Sequence, residues 1–424
     1  MSIIQHDNEV AHLAFEQSAR MQHQLSLIAA ENIVSEDVLA ALGSCFTNKT
    51  VEGTSSSRYH SGSEVVDRLE LLTRERAQRV FGTGYANVQP HSGTQANQIA
   101  LSALAPAGAT ILSMSLADGG HLSHGHRKSL AGQIYRIVTY PVSEHDDRID
   151  LNLVREMARR CSPAVIIAGA SSYCRDIDYG GFSDIAREVG SRLLVDCAHF
   201  AGLIAGGALQ SPIPYADVVT MSCYKTLRGP RGGLLVSRDE SLGAAFDQAV
   251  FPRHQGTPQL NNLAAKAICL NEAASDSFKD YCVAAISSGK ALADALQDQN
   301  VSLVTGHTDT SMLLLDLRHS EFSGRDVSDR LEQLGLLVNR NMVPRDPRKS
   351  SETSGVRVST AGLVSRGLPI SAICSLAPII ATCVRGPLKT QEAERWSLII
   401  RELCQSWPVA HSGARLPAPD SELA

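Results

Sequence analysis

The sequence predicts an α/β fold: a large domain with a mostly parallel, mixed sheet flanked by helices, followed by a smaller C-terminal α+β domain. Three observations carry this. Strand-sized apolar runs alternate with helix-compatible stretches through the middle of the chain, as in a parallel sheet with helical crossovers. Near residue 260 the texture changes, and an Ala-rich helical stretch gives way to isolated strand signals. The length of 424 residues is also about three times the ~150-residue prior for one domain.

In chain order, residues 1–30 are expected to form an N-terminal helical arm, 31–280 the large domain and 281–424 the small one. Residues 64–81 place apolar side chains at helical spacing with charges between them, which predicts a long amphipathic helix. A helix is expected over 95–104. The runs 109–114, 134–140, 164–168, 192–195, 217–221 and 233–237 read as strands, with 182–191 as an intervening helix. Beyond them, 260–297 reads as helix, 311–317 as strand, 325–334 as helix and 355–359 as strand. The tail, 407–424, is rich in Pro, Ser and Ala and is expected to fray.

Composition narrows the function. Hydrophobic residues make up 43% and charged residues 20%, an ordinary globular balance. The net charge of −5 predicts no nucleic-acid partner. No apolar run approaches the ~20 residues of a membrane span. The opening MSIIQHDNEV lacks the basic and apolar regions of a secretory signal. The 10 cysteines form no C-x-x-C pair and read as reduced thiols of a cytoplasmic protein. G-x-x-x-x-G-K-[ST], G-x-G-x-x-G and G-x-S-x-G are all absent. His121, His124 and His126 raise zinc, but no H-E-x-x-H or cysteine set accompanies them, so they read as hydrogen-bonding residues and no metal is expected.

Four segments look chemical. In VQPHSGTQAN, Ser92, Gly93 and Thr94 precede a helix, where backbone N–H groups and two hydroxyls can cradle phosphate; a simple N-cap is the bland alternative. In LLVDCAHF, Asp196 closes a buried strand and needs a cationic partner or a proton; capping the next helix would explain it equally. Lys225 follows a strand and precedes a Gly/Pro/Arg-rich loop, a place where a lysine can form a Schiff base, although a lone lysine is usually a surface residue. Arg357, on a small-domain strand, can grip a carboxylate through two parallel hydrogen bonds, or serve a structural ion pair. Together they meet the needs of a pyridoxal phosphate site: a phosphate cradle, a lysine, an acid for the ring nitrogen and a carboxylate clamp.

The stretches LIAAEN, FTNKTVEG, NVQPHSGTQAN, GGHLSHG, AGASSY, VDCAHFAGLIAGG, YKTLRGPRGG, FPRHQGTP, NRNMVP and TSGVRV make the chain resemble the serine hydroxymethyltransferase family, as a divergent member. The resemblance implies the fold-type-I architecture of pyridoxal phosphate enzymes. It makes Lys225 the cofactor lysine, Asp196 the partner of the ring nitrogen and His121 the residue stacked on the ring. Ser92, Gly93 and Thr94 would bind phosphate, with Ser222, Gly256 and Thr257 as further cofactor contacts. Ser171 and His199 would border the ring's O3′ side. Arg357 would take the substrate carboxylate, and Glu52 would handle a proton. Thr50, Tyr59, His60 and Asn341 fall at substrate or pterin positions. It also implies a homodimer, open to further pairing into a tetramer, in which 48–62 and 254–258 reach the neighbour's cofactor.

Six departures stand at such positions. The family has Ser at Ala30, Tyr at Thr50, usually Tyr at His60, His at Tyr224, a Tyr-Pro-Gly-Lys/Arg loop at Thr54–Ser57 and Gly at Thr257. Ala30 and Thr50 remove a hydroxyl and a phenol and open volume around Cα and Cβ. Tyr224 stands either as a new acid/base or as packing. The expectation is therefore a specialised, natural-product type of reaction on a bulky β-substituted amino acid: C–S β-elimination, decarboxylative deamination or threonine transaldolation. The alternative is folate-dependent serine/glycine hydroxymethyl transfer, and tetrahydrofolate is left open. Intact Lys225, Asp196 and Arg357 argue against a pseudoenzyme.

Overall fold

The computed structural model describes residues 7–55 and 57–409; most of the 407–424 tail lies outside them. Helix α1 (Asn8–His23) opens the described chain, capped by the Asp7 carboxylate, which accepts from the Val10 N–H. Helix α2 (Glu64–Phe81) has the bounds its periodicity predicts and ends at Gly82 in a left-handed conformation. The central sheet has seven strands: β1 (Tyr85–Asn87), β2 (Thr110–Met114), β3 (Arg136–Tyr140), β4 (Val165–Gly169), β5 (Arg192–Asp196), β6 (Val218–Ser222) and β7 (Gly233–Ser237). Their order is β1-β7-β6-β5-β4-β2-β3. Strand β7 runs antiparallel to both of its neighbours, while the pairings from β6 through to β3 are parallel.

Strands β4, β6 and β7 are buried along their whole length, which is why they read as continuous apolar runs. Strand β1 has only three residues, YAN, too few to give a strand signal. The 134–140 run divides: Ile134 closes a short helix and the strand starts at Arg136. The single helix expected over 260–297 is two, α3 (Leu260–Ala273) and α4 (Asp276–Asp298), because Ser275 caps the second by accepting from the Phe278 N–H.

The C-terminal part holds a three-stranded antiparallel sheet in which β10 (Gly355–Ser359) lies between β8 (Met312–Asp316) and β9 (Asn339–Asn341). Leu25 and Ser26 pair in parallel with Leu336 and Leu337, so Leu25 and Leu27 join the C-terminal core. Helix α4 serves both cores: Phe278, Tyr281 and Ala285 pack with the central sheet, and Leu292, Ala293 and Leu296 with the C-terminal one. Among the described residues no helix is long and apolar enough to cross a membrane.

Arg366 ties the two ends of the chain together. Its guanidinium donates to the carbonyls of Met21, Gln22, Gln24, Cys404 and Trp407. Replacing it by Met would leave half-buried carbonyls without donors. Arg366→Met is expected to lower stability by about 3 kcal/mol, read by urea denaturation, and to expose helix α1 to limited proteolysis; a midpoint equal to the wild type's would refute this role.

Candidate active site

The carboxyl ends of adjacent parallel strands gather the site, as expected for an open α/β sheet. Asp196 ends β5, Ser222 ends β6 and Lys225 follows three residues on, while Ser171 lies just beyond β4. One pocket is lined by ten of the predicted residues: Ser92, Gly93, Thr94, His121, Ser171, Asp196, His199, Ser222, Tyr224 and Lys225.

The cradle opens the helix Gly93–Leu104. Ser92 is its N-cap and accepts from the Gln95 N–H, so the bland reading of that serine holds too. The Gly93 and Thr94 N–H groups belong to the first turn, whose donors have no intrahelical acceptor. A Cβ at Gly93 would stand 2.4 Å from Ser222 Oγ, so glycine here lets the Ser222 hydroxyl keep its place against the helix start.

Asp196 is 5% exposed. Its Oδ2 accepts from Asn97 Nδ2 and faces His124 Nε2, both at 2.7 Å, and its Oδ1 accepts from the Ala198 N–H at 2.8 Å. Burial raises its pKa, but the hydrogen bond and charge of His124, then His121 and Asn97, outweigh it, and the carboxyl is held well below its usual range. The Asn97 carbonyl is fixed in turn by the Thr220 hydroxyl, and its amide also reaches Ser123 Oγ at 2.9 Å. The chain therefore presents an ionised acid, as a pyridinium nitrogen requires. The ligand atoms of His121, His124 and Asp196 lie within 4.8 Å of one another, and the direct His124–Asp196 contact accounts for that closeness.

His121 is pushed down to about 4, chiefly by burial, and is neutral at pH 7. Its Nδ1 accepts from the Ser123 N–H, which leaves the proton on Nε2. His199 is buried and likewise shifted well down by desolvation. Lys225, only 6% exposed, is pushed down to about 8 by burial, with Asp196 opposing and Arg357 and Arg231 assisting. Arg357 is pushed down to about 10 by burial and stays cationic. Its Nε donates to Asn339 Oδ1 at 3.1 Å and its Nη1 to the carbonyl and hydroxyl of Ser171, leaving Nη2 outside these contacts. Tyr224 stacks under Arg231, whose Cζ is 4.2 Å from the ring centroid.

The remaining predicted residues do not line this pocket; most form a second cluster in the same chain. Thr50 Oγ1 lies 2.8 Å from Thr257 Oγ1. A Cβ on Gly256 would stand 3.1 Å from Glu52 Oε1, so that carboxylate rests against Gly256. Tyr59 is 74% exposed, with its ring 5.5 Å from that of Phe251. His60 lies beside it in sequence. The hairpin 53–58 is fastened by Arg58, which pairs with Asp67 at 2.7 Å and Glu70 at 2.6 Å. Asn341 sits apart on β9, its amide donating to the Met342 carbonyl. Sequence reasoning missed Asn97 and the tie of His124 to Asp196. Asn97 lies one turn beyond Gly93 and so on the same helix face, the signal that could have found it.

A phosphate cradle, a buried lysine of lowered pKa, an ionised buried acid and a buried arginine fit pyridoxal phosphate. On a seven-stranded sheet of this kind they define a fold-type-I pyridoxal phosphate enzyme. A family model described as serine hydroxymethyltransferase matches residues 3–380, and the chain belongs to that family of pyridoxal phosphate-dependent transferases. It is 42% identical to serine hydroxymethyltransferase 1 of Pseudomonas fluorescens over 409 residues, 96% of this chain and 99% of the relative. It is 46% identical to the serine hydroxymethyltransferase of a Caulobacter species over 367 residues, 87% and 85% of the two chains. That of Desulforapulum autotrophicum is 43% identical over 403 residues, 95% and 96%.

Because the folded-state pKa of Lys225 lies below that of a free lysine, its neutral, nucleophilic fraction rises as pH passes through about 8. The rate at which apoenzyme captures pyridoxal phosphate is expected to climb with that midpoint in stopped-flow absorbance; a climb centred near ~10.4, the free-lysine value, would contradict the burial argument.

Proposed function

We propose that this enzyme cleaves the Cα–Cβ bond of a β-hydroxy-α-amino acid bulkier than serine and passes the resulting glycine unit to a second aldehyde. The observation that carries this is a cavity of about 380 Å³ with Ala30 and Tyr224 in its wall. Tyr224 also lines the cofactor pocket, so two of the six departures border space that a larger substituent can occupy.

Arg357 would orient the substrate carboxylate through the face not spent on Asn339 and Ser171. Lys225 would hold the cofactor, Asp196 would sit at the ring nitrogen and neutral His121 would cover the ring. Ser92, Gly93, Thr94 and Ser222 would bind phosphate, with Ser171 and His199 at the O3′ side. Bound pyridoxal phosphate supplies the electron sink that weakens a bond at Cα. Glu52 would take the proton of the β-hydroxyl. Tyr224, held flat by Arg231, acts as a wall rather than an acid/base in this reading.

We further propose a homodimer in which Thr50, Glu52, Tyr59, His60, Gly256 and Thr257 complete the neighbour's site. Their absence from the pocket of their own chain supports this. So do buried polar atoms without partners at His60 Nδ1, His91 Nε2 and Gln255 Oε1, which surround this cluster. A cytoplasmic setting is supported by ten free cysteines.

The second reading is folate-dependent serine hydroxymethyl transfer, with Tyr59 and Asn341 near the pterin. It is favoured by the shared name of the relatives at 42–46% identity. Parallel incubation of holoenzyme with threonine plus an acceptor aldehyde, with serine plus tetrahydrofolate, and with an S-alkyl cysteine separates the classes. We expect kcat/KM for threonine at least about 10-fold above that for serine, a gap of about 1.4 kcal/mol in transition-state binding. A preference for serine with folate would establish the second reading; a keto acid or aldehyde formed from the cysteine conjugate would point instead to C–S elimination or decarboxylative deamination.

A further inference from the structure

Lys266 lies outside the pocket and is 3% exposed. Its Nζ donates to three backbone carbonyls: Val88 at 2.6 Å, Pro90 at 2.9 Å and Gly233 at 3.0 Å. An ammonium has three protons, and each has an acceptor. The titratable groups that face it are the thiols of Cys223 and Cys269 and the ring of His91. Among the described residues no carboxylate faces it, so this is a buried positive charge balanced only by carbonyl dipoles. Burying such a charge is unfavourable unless a counter-charge stands nearby.

The three carbonyls say where that counter-charge belongs. Val88 and Pro90 lie just before Ser92, Gly93 and Thr94, and Gly233 opens β7. The Gly233 N–H donates to the Pro90 carbonyl at 3.0 Å. The packing is tight: a Cβ at Gly232 would stand 2.4 Å from Lys266 Cε, and one at Gly233 would stand 2.3 Å from the Ser92 carbonyl oxygen. We propose that Lys266 is a positioning residue for phosphate: it clamps 88–92 to the start of β7, aims the first-turn N–H groups, and places a buried cation behind them for a phosphate dianion. This rests on the reading that Ser92–Thr94 receive the cofactor's phosphate.

The test compares two ligands of the full-length apoenzyme, pyridoxal phosphate and pyridoxal, titrated by absorbance and fluorescence. For Lys266→Met we expect the Kd of pyridoxal phosphate to rise about 10–100-fold while that of pyridoxal changes by less than about 3-fold. Equal losses for both ligands, or none for either, would overturn the proposal and leave Lys266 a packing residue. If Lys266→Met does not fold, Lys266→Arg carries the test. It keeps the charge but its planar fork cannot cap three carbonyls, and the ratio of the two Kd values is expected to rise at least about 3-fold; an unchanged ratio would overturn the proposal. A wild-type protein that bound neither ligand would remove the cofactor reading itself, an outcome distinct from either.

Discussion

The site depends on keeping one buried carboxylate charged. Asp196 sits where a lone carboxyl would take up a proton, because burial favours its neutral form. The hydrogen bond and charge of His124, then His121 and Asn97, reverse that preference. The carboxylate's donors come from different pieces of the fold: Asn97 from the helix Gly93–Leu104, His124 from the short turn after β2, and the Ala198 amide, which binds Oδ1, from the chain just past β5. The parallel arrangement brings these pieces together at the carboxyl edge of the sheet. Losing any one donor would leave a buried lone pair exposed to a low-dielectric interior.

The same edge sets the balance of positive charge. Lys225 is depressed by burial and by the fields of Arg357 and Arg231, with Asp196 as its opposing neighbour. Arg357 belongs to the C-terminal sheet but contacts Ser171 just beyond β4. That contact ties the C-terminal sheet to the edge of the central sheet where the pocket lies. Helix α4 packs into both cores, and the Arg318–Asp147 ion pair at 2.7 Å, the Arg175–Asp309 pair at 3.0 Å and the Thr308 hydroxyl, which donates to the Cys174 carbonyl, also join the two parts.

Much of this was legible in the residues. The amphipathic period of 64–81 gave α2 its bounds, and apolar runs located six of the seven central strands. Lys225, Asp196, Arg357 and Ser92–Thr94 each have a plain structural reading alone and stand out only as a set that meets the needs of a pyridoxal phosphate site; the structure adds that all of them but Arg357 line one pocket. Other features were not readable, for physical causes. Strand β1 is too short to show a period. The break between α3 and α4 rests on one Ser cap inside an Ala-rich run that favours helix throughout. Asn97 and Lys266 sit in helices whose sequence shows only their helical character; their roles appear once distant carbonyls and carboxylates are placed beside them. The stacking of Tyr224 on Arg231 is likewise a loop geometry that spacing does not encode.

The central claim is that one amine, at position 225, binds the cofactor covalently. Borohydride reduction of the reconstituted protein followed by peptide mass mapping tests it most directly. The account predicts a phosphopyridoxyl mass on the peptide carrying Lys225 and on no other. A tag on a different lysine, or an untagged protein, would contradict it.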